Sequence, residues 1–169
     1  CNTWVFLLTA IIDSLYPIIL RSFDNKNLFE RKNKQLYAIV FYVSTGVSLL
    51  FSLLASPIVR ILYGDAYASA ADPLRIITWY TAFSYLGIAR NAWVVSYSKQ
   101  NYLKYLYIGA AITNVLLNAI MIPLWGASGA ALASLLTQIS TILLFPVLIK
   151  DLRPNVKLMI DAILLKDVF

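Results

Sequence analysis

The sequence predicts an all-α fold, a polytopic transmembrane helical bundle with about five crossings. Composition is the first reason, because 60% of the residues are hydrophobic and only 13% are charged, whereas soluble domains average roughly 45–50% and 25%. Length is the second, since 169 residues divide into five apolar runs of about 20 residues with short links. The third is a hairpin signal at residues 114–134. We expect a single membrane domain over residues 1–169.

The first apolar run, residues 4–20, carries an aspartate near its middle. A carboxylate inside a membrane is costly and usually functional, which makes Asp13 a candidate for ion or proton coupling. Capping, or pairing with a neighbouring helix, is the alternative, and the depth of Asp13 depends on where the run begins. The chain starts at Cys1 rather than Met, and we expect it to be a fragment of a longer protein.

A basic link leads into the second run, residues 36–55. Nucleic-acid binding is one interpretation of the link, but a short basic segment between apolar runs is typical of the cytoplasmic side of a membrane protein. The second run contains Gly46 among serines at helical spacing, a stripe that favours close helix packing. After it, Pro57, Gly64 and two tyrosines predict an outer loop with a short interfacial helix.

The third run, residues 74–97, holds Arg90 and Asn91 in its later part. Arg90 has two interpretations, because an arginine side chain is long and flexible. Its guanidinium either lines a passage for an anionic substrate or extends to the cytoplasmic surface. The sequence leaves both open.

The fourth and fifth runs, residues 102–122 and 127–149, form the predicted hairpin. Asn114 and Asn118 are four residues apart and therefore share one helix face, and Gln138 is the amide of the fifth run. The turn between the runs contains Pro and Gly without any charge, and small residues recur every four positions after it, which lets helices approach closely. The remaining tail is too short to span and fits a surface helix or a truncated sixth crossing.

Positive charge predicts the orientation of the bundle. The links after the first, third and fifth runs carry most of the basic residues, and the other two links hold only Arg60 and Arg75. By the positive-inside rule the basic links are cytoplasmic, so topology accounts for the net charge of +6. The basic residues of these links are Arg21, Lys26, Arg31, Lys32, Lys34, Lys99, Lys104, Lys150, Arg153 and Lys157.

The residues that usually hold metals are nearly absent from the sequence. It contains one cysteine and no histidine, and these two residue types are the usual zinc ligands. We therefore expect no metal site and no cofactor.

Two segments resemble a known family. They are ILYGDAYASAADPLRI at residues 61–76 and NVLLNAIMIPLWGASGAALAS at residues 114–134. They are similar to the C-terminal half of polysaccharide flippases in the multidrug, oligosaccharidyl-lipid and polysaccharide exporter superfamily. The resemblance implies a bundle of two related halves, in which the N-terminal half of the same transporter is the partner of this chain.

The resemblance also implies a function. Such a protein is not an enzyme; it flips undecaprenyl-diphosphate-linked oligosaccharide across the inner (plasma) membrane during biosynthesis of surface polysaccharide such as lipopolysaccharide O-antigen. From polarity and depth, we expect five residues to line the substrate cavity and Asp13 to couple ions. The five cavity candidates are Arg90, Asn91, Asn114, Asn118 and Gln138.

Three other functions compete with the flippase. A multidrug or toxin extruder of the same superfamily is the nearest alternative. A membrane-embedded oligosaccharide polymerase would need a large outer loop with acid, base or Arg clusters, whereas the longest outer link here offers only Arg60, Asp65, Asp72 and Arg75. A structural or channel-forming subunit would explain the small-residue faces but gives Asp13 and Arg90 no role.

Overall fold

The structure, a computed structural model, describes residues 3–168, and within them it is 90% helical without a β-strand. The all-α prediction is confirmed. Two helical segments, Lys26–Tyr63 and Asn101–Leu148, are long and apolar enough to cross a membrane; five crossings stay a prediction. The helices are α1 Thr3–Arg21, α2 Lys26–Tyr63, α3 Ala71–Ala89, α4 Asn91–Ser96, α5 Asn101–Ile139, α6 Phe145–Leu148 and α7 Arg153–Ile163. Short 3-10 segments at Asp65–Ala70 and Lys150–Leu152 and a π-helical segment at Ser140–Leu144 connect them.

Helix α2 extends beyond the predicted apolar run at both ends. The side chain of Asn25 caps its start by accepting the Leu28 N–H at 3.2 Å, and the basic link that follows consists largely of good helix formers. Gly64, at φ 83°, ends it. With 38 residues, α2 is about 57 Å long, nearly twice the roughly 30 Å of a hydrocarbon core. The helix is therefore longer than one membrane crossing requires, and its basic first turns lie outside its apolar part.

Helices α3 and α4 together form the predicted third run. Arg90 lies between them, but its N–H donates to the Leu86 carbonyl at 3.0 Å and its carbonyl accepts from Val94 N–H at 3.1 Å. Because these are ordinary helical hydrogen bonds, the backbone runs on through Arg90. The two helices therefore act as one rod.

Helix α5 contains the predicted hairpin. Gly126 has φ 54° and ψ −129°, a backbone conformation that glycine adopts far more readily than other residues. The two arms then run side by side, since Asn114 Nδ2 lies 3.4 Å from Thr137 Oγ1 although the residues are 23 apart in sequence. Gly129 is packed so tightly that an added Cβ would lie 2.1 Å from the Met121 carbonyl oxygen. The close helix approach that the small-residue spacing predicts is present at this glycine, and the helix that it meets is the first arm of the same hairpin.

The three basic links meet at one end of the bundle. Lys34 of α2 pairs with Asp161 of α7 at 3.5 Å, and Lys99 pairs with Asp151 at 3.4 Å. We call this the basic end. Arg75 lies at the other end of α2, where its guanidinium donates to Ser56 Oγ at 2.7 Å. The grouping of links that the charge pattern predicts is therefore present in three dimensions.

The tail forms α7, an 11-residue helix that packs against the first half of α2. Asn155 Nδ2 donates to the Tyr37 hydroxyl at 2.7 Å, and both side chains are buried. Met159 and Ala162 on the same face join the main apolar core, and Val156 beside them is buried. The tail is therefore a short helix packed against α2, and its two interpretations, a surface helix or a truncated sixth crossing, stay predictions.

Candidate functional site

Two adjoining pockets lie between the α3–α4 rod and the two arms of the α5 hairpin. The first, the Arg90 pocket, has a volume of about 180 Å³. The second, the Asn114 pocket, has about 390 Å³. Tyr80 and Gln138 line both pockets. We call the polar strip that the two pockets form the polar seam.

The Arg90 pocket contains a buried cation. Arg90 is only 1% exposed, and one terminal nitrogen, Nη1, lies 3.4 Å from the Thr141 carbonyl. Its Nε and the Oδ1 atom of the adjacent Asn91 are buried without a hydrogen-bond partner among the described residues. None of the carboxylates in residues 3–168 forms an ion pair with Arg90. A buried guanidinium without a counter-charge has strong affinity for an anion.

The position of Arg90 bears on its two interpretations. Its guanidinium lies inside the bundle, against the π-helical segment Ser140–Leu144, and does not extend to the surface. Gly87, one turn earlier, allows this close contact, because a Cβ there would lie 2.7 Å from Ile142 Cδ1. The arrangement suits a side chain that lines a passage.

The Asn114 pocket is polar but uncharged. Asn118 Nδ2 donates to Asn114 Oδ1 at 2.9 Å, and Asn114 Nδ2 approaches Thr137 Oγ1 at 3.4 Å. The two asparagines therefore share one face, as their spacing predicts, and that face is turned toward the second arm. Asn118 Oδ1 is left without a partner among the described residues. The lining adds the ring of Tyr80 and the amide of Gln138.

Four of the five cavity candidates line these two pockets. The fifth, Asn118, donates a hydrogen bond to Asn114, which lines the Asn114 pocket. Asp13 is different: it is exposed on α1 and lines neither pocket. Its role in ion coupling stays a prediction. Among the described residues, no group of His, Cys, Asp and Glu is arranged to hold a metal ion.

Several residues of the seam were missed from the sequence. On α3 they follow helical spacing and are Ile77, Tyr80, Ser84 and Gly87. This stripe of three-to-four-residue steps marks one helix face and was the available signal. Thr137 and Thr141 gave less indication, because hydroxyls in apolar helices commonly bond to their own backbone; Thr141 Oγ1 does so, to the Thr137 carbonyl at 2.7 Å.

The seam is lined mainly by groups suited to binding. A guanidinium binds phosphate oxygens with parallel N–H bonds, while amides, hydroxyls and an aromatic ring suit a neutral polar ligand. No carboxylate or cysteine lines either pocket. Comparison of the chain with protein-family models, curated proteins and solved structures gives no match.

Proposed function

We propose that the chain is the C-terminal part of a polytopic inner-membrane transporter that flips lipid-linked oligosaccharide during surface-polysaccharide assembly. Transport moves the substrate without making or breaking a covalent bond. The problem it solves is physical, because a diphosphate and several hydroxyl groups must cross an apolar layer that penalises every unpaired polar group.

One observation carries the proposal. A buried arginine without a counter-charge lies beside a neutral polar pocket inside an apolar helical bundle. Intramembrane charges are costly and mark substrate or ion pathways. In the proposal, Arg90 attracts the diphosphate, while Asn114 and Gln138 donate to and accept from sugar hydroxyls. Asn91 contributes its unpaired oxygen as an acceptor.

The described helices account for five crossings in this proposal. The crossings are α1, the apolar part of α2, the α3–α4 rod and the two arms of the hairpin, the second arm continuing through α6. The basic end faces the cytoplasm by the positive-inside rule. The Asp65–Ala70 segment and the hairpin turn at Gly126 then face outward.

The N-terminal half of the same transporter completes the passage. Apolar side chains along the first arm of the hairpin are exposed, among them Ile112, Val115 and Ile120, and they are available to lipid or to that half. Transporters commonly place the substrate between two such halves, and rocking of one half against the other alternates access.

The experiment is deletion of the gene in its host, followed by complementation. We expect lipid-linked repeat units to accumulate facing the cytoplasm while the glycan disappears from the surface. Arg90→Met retains much of the side-chain volume but removes the charge, and it should fail to restore export at normal protein abundance. Arg60→Ala is the matched control, because Arg60 is exposed at the opposite end of α2, and it should restore export.

Other outcomes identify the alternatives. Short, unextended glycan at the surface would indicate a polymerase, and a change in drug sensitivity alone would indicate an extruder. Full export by Arg90→Met would show that the charge of Arg90 does not act on the substrate.

A further inference from the structure

A third pocket, separate from the polar seam, lies at the basic end of the bundle. Its volume is about 510 Å³, within the roughly 300–1,000 Å³ typical of small-molecule sites. The first turns of α2, the end of α4 and helix α7 form its walls. The rings of Trp93 and Tyr97, with centroids 4.6 Å apart, also line it. We call it the basic-end pocket.

Most charges that line this pocket are already paired. Lys26 lies 4.0 Å from Glu30, Lys34 lies 3.5 Å from Asp161, and Lys99 pairs at 3.4 Å with Asp151, which does not itself line the pocket. The second of these pairs is half-buried, with side-chain exposures of 13% and 20%. Within each pair the positive and the negative charge compensate each other, so these pairs add little net charge to the pocket.

One cation and one anion of the lining are left over. Lys157 of α7 and Asp167 of the tail both line the pocket. Within residues 3–168 neither forms an ion pair, with each other or with a third residue. The pocket therefore presents two exposed charges of opposite sign beside an aromatic wall, and neither charge is held in an ion pair among the described residues.

We propose that the basic-end pocket binds the zwitterionic headgroup of a phospholipid with a primary ammonium, of the phosphatidylethanolamine type. Lys157 donates to the phosphate oxygens, and the ammonium donates to the carboxylate of Asp167. A purely anionic headgroup satisfies Lys157 but leaves Asp167 unpaired and adds repulsion from it. A choline headgroup carries a quaternary ammonium, which has no N–H to donate to Asp167.

The position of the pocket fits a lipid headgroup. Trp and Tyr are the residues enriched where hydrocarbon meets water, and the first turns of α2, which line the pocket, extend beyond the apolar layer. This inference rests on the membrane placement in the proposed function and not on transport. The site therefore exists whether the protein flips a glycolipid, exports a drug or does neither.

The test measures thermal stabilisation of the purified full chain in detergent as lyso-phospholipids are added. A ligand that binds only the folded state raises the melting temperature in proportion to ln(1 + [L]/Kd). We expect lyso-phosphatidylethanolamine to stabilise at lower concentration than the glycerol and choline forms. Lys157→Gln and Asp167→Asn should each weaken its apparent affinity about tenfold, as expected for loss of one charge-assisted hydrogen bond.

Controls separate the site from general charge effects. Lys150→Gln and Asp24→Asn remove exposed charges that do not line the pocket, and they should leave the affinity unchanged. Melting without lipid checks that each variant is folded. Stronger stabilisation by the glycerol form, equal stabilisation by all three lipids, or none at all would overturn the proposal, as would unchanged affinity in both pocket variants.

Discussion

Replacement of Gly129 by alanine tests the close approach of the two hairpin arms. The added Cβ would lie 2.1 Å from the Met121 carbonyl oxygen, and real Cβ atoms keep at least 3.0 Å from such atoms. The arms must therefore separate by about 0.9 Å, since the obstacle is backbone and no flexible side chain can move aside. A gap of about 0.5–1 Å forfeits a quarter to a half of the dispersion energy of each contact that it opens.

We expect Gly129→Ala to destabilise the protein by about 3 kcal/mol, at the upper end for overpacking. Alanine substitutions at two other glycines provide comparisons for this loss of stability. Gly46→Ala places a Cβ in open space on α2, so it should be neutral or stabilise by up to about 1 kcal/mol through helix propensity. Gly126→Ala also meets no atom within 4 Å, but its positive φ should cost about 1–3 kcal/mol as backbone strain.

The assay is equilibrium unfolding of the three variants in detergent micelles, followed by circular dichroism. The expected order of stability is Gly46→Ala first, then wild type, then Gly126→Ala, with Gly129→Ala last. A Gly129→Ala protein within about 0.5 kcal/mol of wild type, the usual range of surface substitutions, would refute the tight packing of the arms.

Three further predictions follow from the bundle. Single cysteines at Tyr67 and Gln100, with Cys1 removed, should react with an impermeant reagent in intact cells at Tyr67 alone; the reverse labelling would invert the topology. Ala130→Leu should lower the amount of folded protein in membranes, because the half-buried Ala130 follows Gly129 where the two hairpin arms meet and a larger side chain would overpack that contact. Wild-type abundance would show that this position meets lipid. The pKa of Asp151 is held below its usual range, first by the hydrogen bond that Tyr102 donates and then by the Lys99 ammonium. The stabilising effect of the ionised Asp151 is therefore complete above about pH 3.9 and is lost as the pH falls through its lower pKa in the folded state. Carboxyl chemical shifts during a pH titration measure this pKa, and a midpoint at or above the usual value would contradict the prediction.

Composition and spacing predicted much of the fold because the responsible signals are local. Apolar runs of membrane length, the four-residue spacing of Asn114 and Asn118, and the glycine that reverses the chain at Gly126 are all visible within a few turns of helix. The predicted extent of α2, residues 36–55, is wrong, because the charge of the basic link indicates a loop whereas the structure has helix from Lys26 to Tyr63. The same lysines and glutamate that make it polar are good helix formers.

The parts of the site that the sequence did not predict depend on contacts between distant segments. Arg90 meets the carbonyl of Thr141, 51 residues later, and no pattern within either segment specifies that approach. Tyr80 lines both pockets only because the α3–α4 rod packs against the hairpin with one particular rotation about its own axis. The sequence also leaves the position of the tail helix undecided, because its packing depends on the hydrogen bond from Asn155 to Tyr37, 118 residues away.

A missing hydrogen-bond partner points to binding in this bundle only where the atom also lies in a pocket wall. Ser44 is as buried as Arg90, yet its hydroxyl donates to the Val40 carbonyl in its own helix, which satisfies the donor locally. Asn33 Nδ2 likewise donates to the Phe29 carbonyl, and although Asn33 Oδ1 has no partner among the described residues, Asn33 lines neither pocket of the polar seam. Arg90 Nε and Asn91 Oδ1 have no such partner among the described residues and lie in the wall of one pocket. An unpaired buried polar atom costs about 1–3 kcal/mol. A ligand that pairs with both atoms recovers this energy, so Arg90 Nε and Asn91 Oδ1 together favour an anion that also carries a hydroxyl group.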